Sequence, residues 1–166
     1  MSQHQEKARI IRFEQLSELN VRITLESPLI AESAEAGQFV MIRTAPGQDP
    51  LLRRPFSLHQ TSSGQIQIYF KNVGRGTNIL AHAKVGEILD VFGPLGRGFS
   101  VADDRPACLV GGGLGIAPML FLANIVSSLN RDHSQDLIIL GGRTREDVEP
   151  MVEDFRQFGL TLHCAT

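Results

Sequence analysis

Between Lys7 and about Phe92, apolar side chains recur at every second position. Val21, Ile23 and Leu25 alternate with polar neighbours, as do Ile66, Ile68 and Phe70, which is the mark of half-buried antiparallel strands. The pattern predicts six strands, at about 7–15, 19–26, 38–45, 54–60, 65–72 and 87–92. Turn chemistry separates them at Ser27-Pro28, Ala45-Pro46-Gly47, Ser62-Ser63-Gly64 and Gly93-Pro94. One short helix, over about 77–83, interrupts the series, with Thr77 as its N-cap. Six short strands in about ninety residues predict an antiparallel six-stranded β-barrel, closed or nearly so.

The pattern changes after Asp103-Asp104-Arg105-Pro106. Ala107-Cys108-Leu109-Val110 is a continuous apolar run ending in glycines, which predicts a parallel strand buried on both faces. A helix over about 117–129 follows, apolar around its first turns. Leu137-Ile138-Ile139-Leu140 predicts a second buried strand. Val148, Met151, Val152, Phe155 and Phe158 then give one apolar helical face. The helix begins at Pro150, where proline is tolerated, and Gly159 closes it. Leu160-Thr161-Leu162-His163-Cys164 makes a third strand. The order β-α-β-α-β predicts a parallel sheet, with the domain boundary near residues 100–106.

Composition narrows the classes. The 166 residues carry a net charge of −2, no Trp and no basic stripe, so nothing points to a nucleic-acid partner. The first residues are polar and lack an apolar signal segment, and no run approaches the roughly 20 apolar residues of a membrane helix. A cytoplasmic protein without a membrane partner is the expectation. The two cysteines, Cys108 and Cys164, are too few and too separated for a disulfide framework or a metal site.

Three short signatures follow one another along the chain. Arg54-Pro55-Phe56-Ser57 sets a permanent cation, a rigid φ, an aromatic ring and a hydroxyl on successive residues. A guanidinium binds a diphosphate through paired charge-assisted hydrogen bonds, each worth about 1.5–3 kcal/mol. Read alone, the same residues also describe an edge strand with Pro55 at its start and Arg54 on a solvated face. Gly74-Arg75-Gly76-Thr77 opens a predicted helix, where glycines let backbone N–H groups approach an anion. An ordinary glycine turn fits it equally, and Lys71 just upstream is either a surface lysine or a second phosphate contact. Gly111-Gly112-Gly113-Leu114-Gly115-Ile116-Ala117-Pro118 follows a strand and opens a helix, as a dinucleotide-binding loop does. Pro118 in the last position departs from G-x-G-x-x-G, and a tight connection chosen for packing is the alternative. His59, His82 and His163 show no metal-ligand spacing and read as surface or core residues. No Ser-His-Asp set or carboxylate pair stands out. The chemistry expected is therefore that of a bound cofactor, with no catalytic side chain and no metal site.

Taken together, Arg-x-x-Ser, Gly-x-Gly-Thr and Gly-Gly-Gly-x-Gly-x-x-Pro on a barrel resemble the ferredoxin–NADP reductase superfamily. Leu52-Arg53-Arg54-Pro55-Phe56-Ser57, Gly93-Pro94-Leu95-Gly96-Arg97-Gly98-Phe99 and Val110-Gly111-Gly112-Gly113 resemble its branch of dihydroorotate dehydrogenase electron-transfer subunits. The resemblance runs from about residue 7 to the last residue. It implies an FAD-binding β-barrel over residues 1–102 and a partial, Rossmann-like α/β parallel sheet for NAD over 103–166. By the same resemblance Arg54, Pro55, Phe56 and Ser57 bind FAD, with Arg54 on the diphosphate and Ser57 near the reactive flavin edge. Tyr69, Phe70 and Lys71 support the flavin and its ribityl–phosphate arm, and Gly76 and Thr77 donate to the diphosphate. Gly111, Gly112, Gly113, Gly115 and Pro118 form a floor for NAD(H), with Gly141-Gly142-Arg143-Thr144 as a second loop near the adenine half.

The implied activity is flavin-dependent electron transfer between NAD(H) and a dihydroorotate dehydrogenase catalytic subunit, in a hetero-oligomer serving pyrimidine biosynthesis. Reductase subunits of sulfide dehydrogenase- or hydrogenase-type complexes share the core and remain alternatives, as does a non-catalytic flavin-binding or assembly module. Members of the superfamily carry two or three further β/α units, and this branch adds a cysteine cluster holding a [2Fe–2S] centre. Two cysteines cannot supply its four thiolates. The chain thus reads as a member shortened at its C-terminus, without cluster ligands of its own.

Overall fold

Residues 2–45, 47 and 50–166 are described by the computed structural model. The six strands are β1 (His4–Gln15), β2 (Asn20–Glu26), β3 (Phe39–Arg43), β4 (Arg54–Ser62), β5 (Gln65–Lys71) and β6 (Ile88–Leu95). They close into a barrel in the order β1-β2-β5-β4-β3-β6, every pair antiparallel. The alternation in the sequence becomes the wall of this barrel. Val21, Ile23, Leu25, Ile66, Ile68 and Phe70 all point into a core sealed from solvent. Of the expected turns, Pro46 in Ala45-Pro46-Gly47 lies outside the described residues.

Three expectations are corrected. Ser27-Pro28 opens a helix, α1 (Pro28–Ser33), where a simple turn was expected. Its first amides are satisfied from another strand: Glu6 on β1 accepts from Ile30 N at 3.0 Å and Leu29 N at 3.3 Å, and from Ser27 Oγ at 2.6 Å. Gly93-Pro94 is no turn but part of β6. The pairing steps from Phe39↔Leu95 to Met41↔Phe92, so the proline sits at a bulge, where its missing N–H costs no ladder bond. Thr77 is not the N-cap of the second helix, α2 (Arg75–Ala81). Gly74 is, and Thr77 lies in the first turn with its Oγ1 accepting from the amides of Val73 and Gly74, each at 3.0 Å.

Beyond an irregular stretch, β7 (Cys108–Gly112), α3 (Met119–Ser127), β8 (Leu137–Gly141), α4 (Glu149–Arg156) and β9 (Thr161–Ala165) build a parallel sheet in the order β7-β8-β9. A fourth correction falls on β7, expected to be buried on both faces. Leu109 and Gly111 are covered while Cys108, Val110 and Gly112 are exposed, because both helices pack on one side of the sheet. The apolar surround of α3 has a double use. Phe121 enters the barrel core, whereas Leu120, Ala123 and Val126 join the core under the sheet.

The sheet is anchored at Asp136, which precedes β8 and is almost wholly buried. Its carboxylate accepts from Ala107 N at 2.7 Å, from Arg131 at 3.0 Å and from His133 Nδ1 at 2.7 Å. Burial raises its pKa, and these three donors together outweigh that and hold it below the ordinary aspartate value of 3.8. A depressed folded-state value means the contribution to stability is complete above pH 3.8 and lost as pH falls through the lower folded value. Denaturant titrations from pH 5 to pH 2 should therefore show an acid limb that is shallower in Asp136→Asn. An identical limb in both chains would exclude this anchor as its source.

Candidate functional site

The first signature lies at the start of β4, and its alternation sorts the roles. Phe56 turns inward and meets Phe70 edge-on at 5.4 Å between ring centroids. Both belong to the barrel core, so any ligand contact from these two positions is through the backbone. Pro55 and Ser57 face outward, Ser57 half-covered opposite Phe39 on β3. The tandem arginines part company. Arg53 is committed to Asp90, with Nη2 2.9 Å from the carboxylate and Nη1 2.8 Å from its carbonyl. Arg54 bonds the carbonyls of Leu52 and Arg53, and forms no ion pair among the described residues.

Arg54 and the second signature are brought together although 20 residues of sequence separate Arg54 from Gly74. A Cβ on Gly76 would stand 3.1 Å from Arg54 Cγ, 3.2 Å from its Nε and 3.5 Å from Thr44 Oγ1. The absent side chain thus makes the space in which the guanidinium lies against the first turn of α2. Thr44 Oγ1 is buried and unpartnered beside it. First-turn amides have no intrahelical acceptor. A permanent cation, an orphaned hydroxyl and backbone N–H groups are the donor set a diphosphate requires, and the corner fits one. Thr77's hydroxyl is already engaged, donating to Gly74 O at 2.9 Å, which leaves its backbone for any anion.

The third signature forms one wall of a cleft of about 540 Å³ at the carboxyl ends of β7 and β8. Gly112, Gly113 and Leu114 line it, and Gly141, Gly142 and Arg143 add the second loop. The opposite wall is the barrel, through Asn20, Tyr69, Lys71 and Val73. The glycines divide into two kinds. A Cβ on Gly111 would meet Met119 Cγ at 2.8 Å, Gly115 O at 3.1 Å and Ile116 Cα at 3.1 Å. Gly112, Gly113 and Gly115 would meet nothing within 4 Å, and of these Gly112 and Gly113 line the cleft and leave it open room. Pro118 follows the 3-10 turn Gly113–Ile116 and stands at the N-cap of α3.

A paired substitution separates the two kinds. Gly111→Ala should lose about 1–3 kcal/mol through overpacking against backbone that cannot yield. Gly112→Ala should leave the melting temperature unchanged and weaken dinucleotide binding alone. Thermal denaturation of both decides the matter, and an unaltered Gly111→Ala chain would refute the packing role.

Tyr69 and Lys71, expected to support the flavin arm, lie on the barrel wall of this cleft. Tyr69 belongs to the core under the sheet, and its phenol is pushed up to about 12 by burial, with Asp147 adding to the effect. It is a neutral donor at the base of the cleft. Lys71 Nζ pairs with Asp147 at 2.8 Å across that cleft. Further polar contacts join the two units: Asn20 Nδ2 donates to Glu146 O at 3.2 Å, Arg22 bonds Asp154 of α4, and His59 Nδ1 lies 2.6 Å from Ala117 O. Sequence reasoning missed Asn20, Arg22, Asp147 and this role of His59. Only His59 left a local trace, being two residues from Ser57 and so on its face of β4.

Residues 8–99 match the oxidoreductase FAD-binding domain family, and the chain belongs to it. It is 40% identical over 157 residues to the electron transfer subunit of dihydroorotate dehydrogenase B (NAD(+)) from Geobacillus kaustophilus, covering 91% of this chain and 59% of the relative. The protein of the same name from Enterococcus faecalis is 36% identical over 171 residues, covering 100% and 63%. The chain thus spans about three-fifths of the length of these relatives. Among solved structures, the NADH-dependent reduced ferredoxin-NADP oxidoreductase superposes with a TM-score of 0.82 at 29% identity, over 96% of this chain and 56% of that one. The ferredoxin reductase of carbazole 1,9a-dioxygenase shares the fold, with a TM-score of 0.85 at 23% identity over 100% and 51%. The expected resemblance and fold class are borne out.

Proposed function

We propose that this chain is the flavin- and dinucleotide-binding part of an electron-transfer subunit, passing electrons between NADH and a dihydroorotate-oxidising catalytic subunit. The observation that carries this reading is the cleft itself, in which the barrel faces two glycine loops across about 540 Å³. The names of the relatives support the partner and the nicotinamide.

Bound FAD supplies the two-electron chemistry, and the side chains supply position. Arg54 and the backbone at Gly76 hold the diphosphate. Ser57, outward on the same strand, offers a hydroxyl toward the ring. Gly112 and Gly113 leave the room a nicotinamide needs to approach, and Tyr69 and Lys71 close the cleft from the barrel side. Proximity of the two reactants is what such an arrangement contributes to rate.

An anaerobic titration with NADH of the FAD-reconstituted chain tests the reading. Loss of the oxidised flavin absorbance in proportion to added NADH is the expected result. A chain that takes up no FAD, or a flavin still oxidised in excess NADH, would overturn it. Electron transfer onward to a dihydroorotate-oxidising subunit, and not to a sulfide dehydrogenase or hydrogenase subunit, fixes the partner.

A further inference from the structure

His59 is the residue at which the strand of the flavin corner touches the end of the glycine loop. The pairing of β4 with β5 steps from Leu58↔Ile68 to Gln60↔Gln67, so His59 is the extra residue of a bulge. Alternation from Ser57 points the imidazole out of the barrel, and it lies under the second unit, where it is fully buried. Its Nδ1 lies 2.6 Å from Ala117 O. A carbonyl only accepts, so Nδ1 carries the hydrogen and Nε2 the lone pair. Burial, with Arg22 nearby, pulls the ring's pKa down to about 4 against the opposing effects of the Ala117 bond and Glu14, so the imidazole is neutral at pH 7.

The two ends of this bond are well placed. His59 stands two residues beyond Ser57, on the same outward side of β4. Ala117 stands two residues beyond Gly115, between the 3-10 turn of the glycine loop and α3. We infer that His59 is a positioning residue, whose Nδ1–H bond to Ala117 sets the glycine loop against the flavin edge held by its own strand. The inference rests on the function proposed above. Histidine meets the geometry because its donor lies close to Cβ on a rigid ring, and Tyr69 supports that ring at 5.7 Å between centroids.

Three substitutions test it. The amide of asparagine can place a donor where Nδ1 stands, that of glutamine where Nε2 stands, and leucine has no donor. Three readouts are taken: FAD affinity, the rate of flavin reduction at saturating NADH, and hydrogen exchange of the amides between 111 and 121. His59→Leu is expected to bind FAD within about threefold of wild type, because Arg54 is untouched. Its flavin reduction should slow roughly 10–100-fold, the scale of a displacement near 1 Å. Loop exchange should quicken roughly tenfold while barrel exchange holds. His59→Asn should restore rate and protection, and His59→Gln should not.

Leucine that leaves both rate and loop exchange within twofold of wild type overturns the inference. So does a loss matched by equal quickening of exchange throughout the chain, or glutamine rescuing as well as asparagine. If His59→Leu does not fold, the asparagine and glutamine pair decides. Should the wild-type chain itself fail to be reduced by NADH, the proposed function falls. The loop exchange of the three variants then judges the bond by itself.

Discussion

An Arg54→Ala chain is expected to keep its barrel and lose its flavin. Arg54 has no carboxylate partner among the described residues and bonds backbone carbonyls alone, so its removal leaves no buried charge behind. What goes is the guanidinium beside Gly76, which can grip a diphosphate with two parallel bonds. At about 1.5 kcal/mol or more for each charge-assisted bond, the loss is at least about 3 kcal/mol, or roughly 150-fold in Kd. Arg54→Lys should recover only part of it, since a point charge cannot make the paired contact. Arg53 is the internal control. Its guanidinium is held by Asp90, so Arg53→Ala should lower stability and leave FAD affinity nearly intact. Flavin fluorescence titrations of the variants measure both effects. An Arg54→Ala chain that binds FAD within about fivefold of wild type would remove Arg54 from the site.

The barrel was legible because alternation is a local signal. Val21-Ile23-Leu25 and Ile66-Ile68-Phe70 state which side of the sheet is buried, and closure follows from six such strands. The failures share a cause in partners distant along the chain. α1 could not be read from Ser27-Pro28, because the carboxylate that caps it belongs to Glu6, 21 residues earlier. β7 reads as buried on both faces because Val110 is apolar, and only the placement of α3 and α4 on one side shows that it is exposed.

The site divides in the same way. Its glycines and Arg54 announce themselves through residue type and spacing. Phe56, Phe70 and Thr77 sit in the same motifs, yet their side chains are spent on packing or on closing a loop. The residues that hold the two units together are ordinary polar side chains on strands. Nothing in the sequence around Arg22 or Lys71 says that Asp154 or Asp147 will stand opposite.

Arg22 carries the larger stability prediction. It lies on the outward side of β2, paired across the sheet with Glu14 and Tyr69, and is nearly covered by the second unit. Its guanidinium bonds Glu14 at 3.0 and 2.8 Å and also binds Asp154 of α4. Arg22→Met removes the cation and leaves two partly covered carboxylates facing the space it filled. Breaking a buried pair from one side typically costs about 3–5 kcal/mol, a large part of the roughly 5–15 kcal/mol that holds a domain folded. The pH dependence identifies the cause. The hydrogen bond from Arg22 is the main reason the Glu14 carboxyl sits below its ordinary value of 4.5, ahead of an opposing effect of burial. In the wild type that contribution is complete above pH 4.5 and fades as pH falls through the lower folded value. In Arg22→Met the Glu14 carboxyl loses that bond and keeps Arg12 at 3.0 Å, so less of its charged form is favoured and less is lost on protonation. Denaturant unfolding at pH 7 and at pH 4 should thus show a wide gap between the two chains that narrows in acid. Glu14→Gln with Asp154→Asn should recover part of the loss when added to Arg22→Met. A gap below about 1 kcal/mol at pH 7, or one that stays constant with pH, would mean that the Arg22 ion pairs do not hold the two units together.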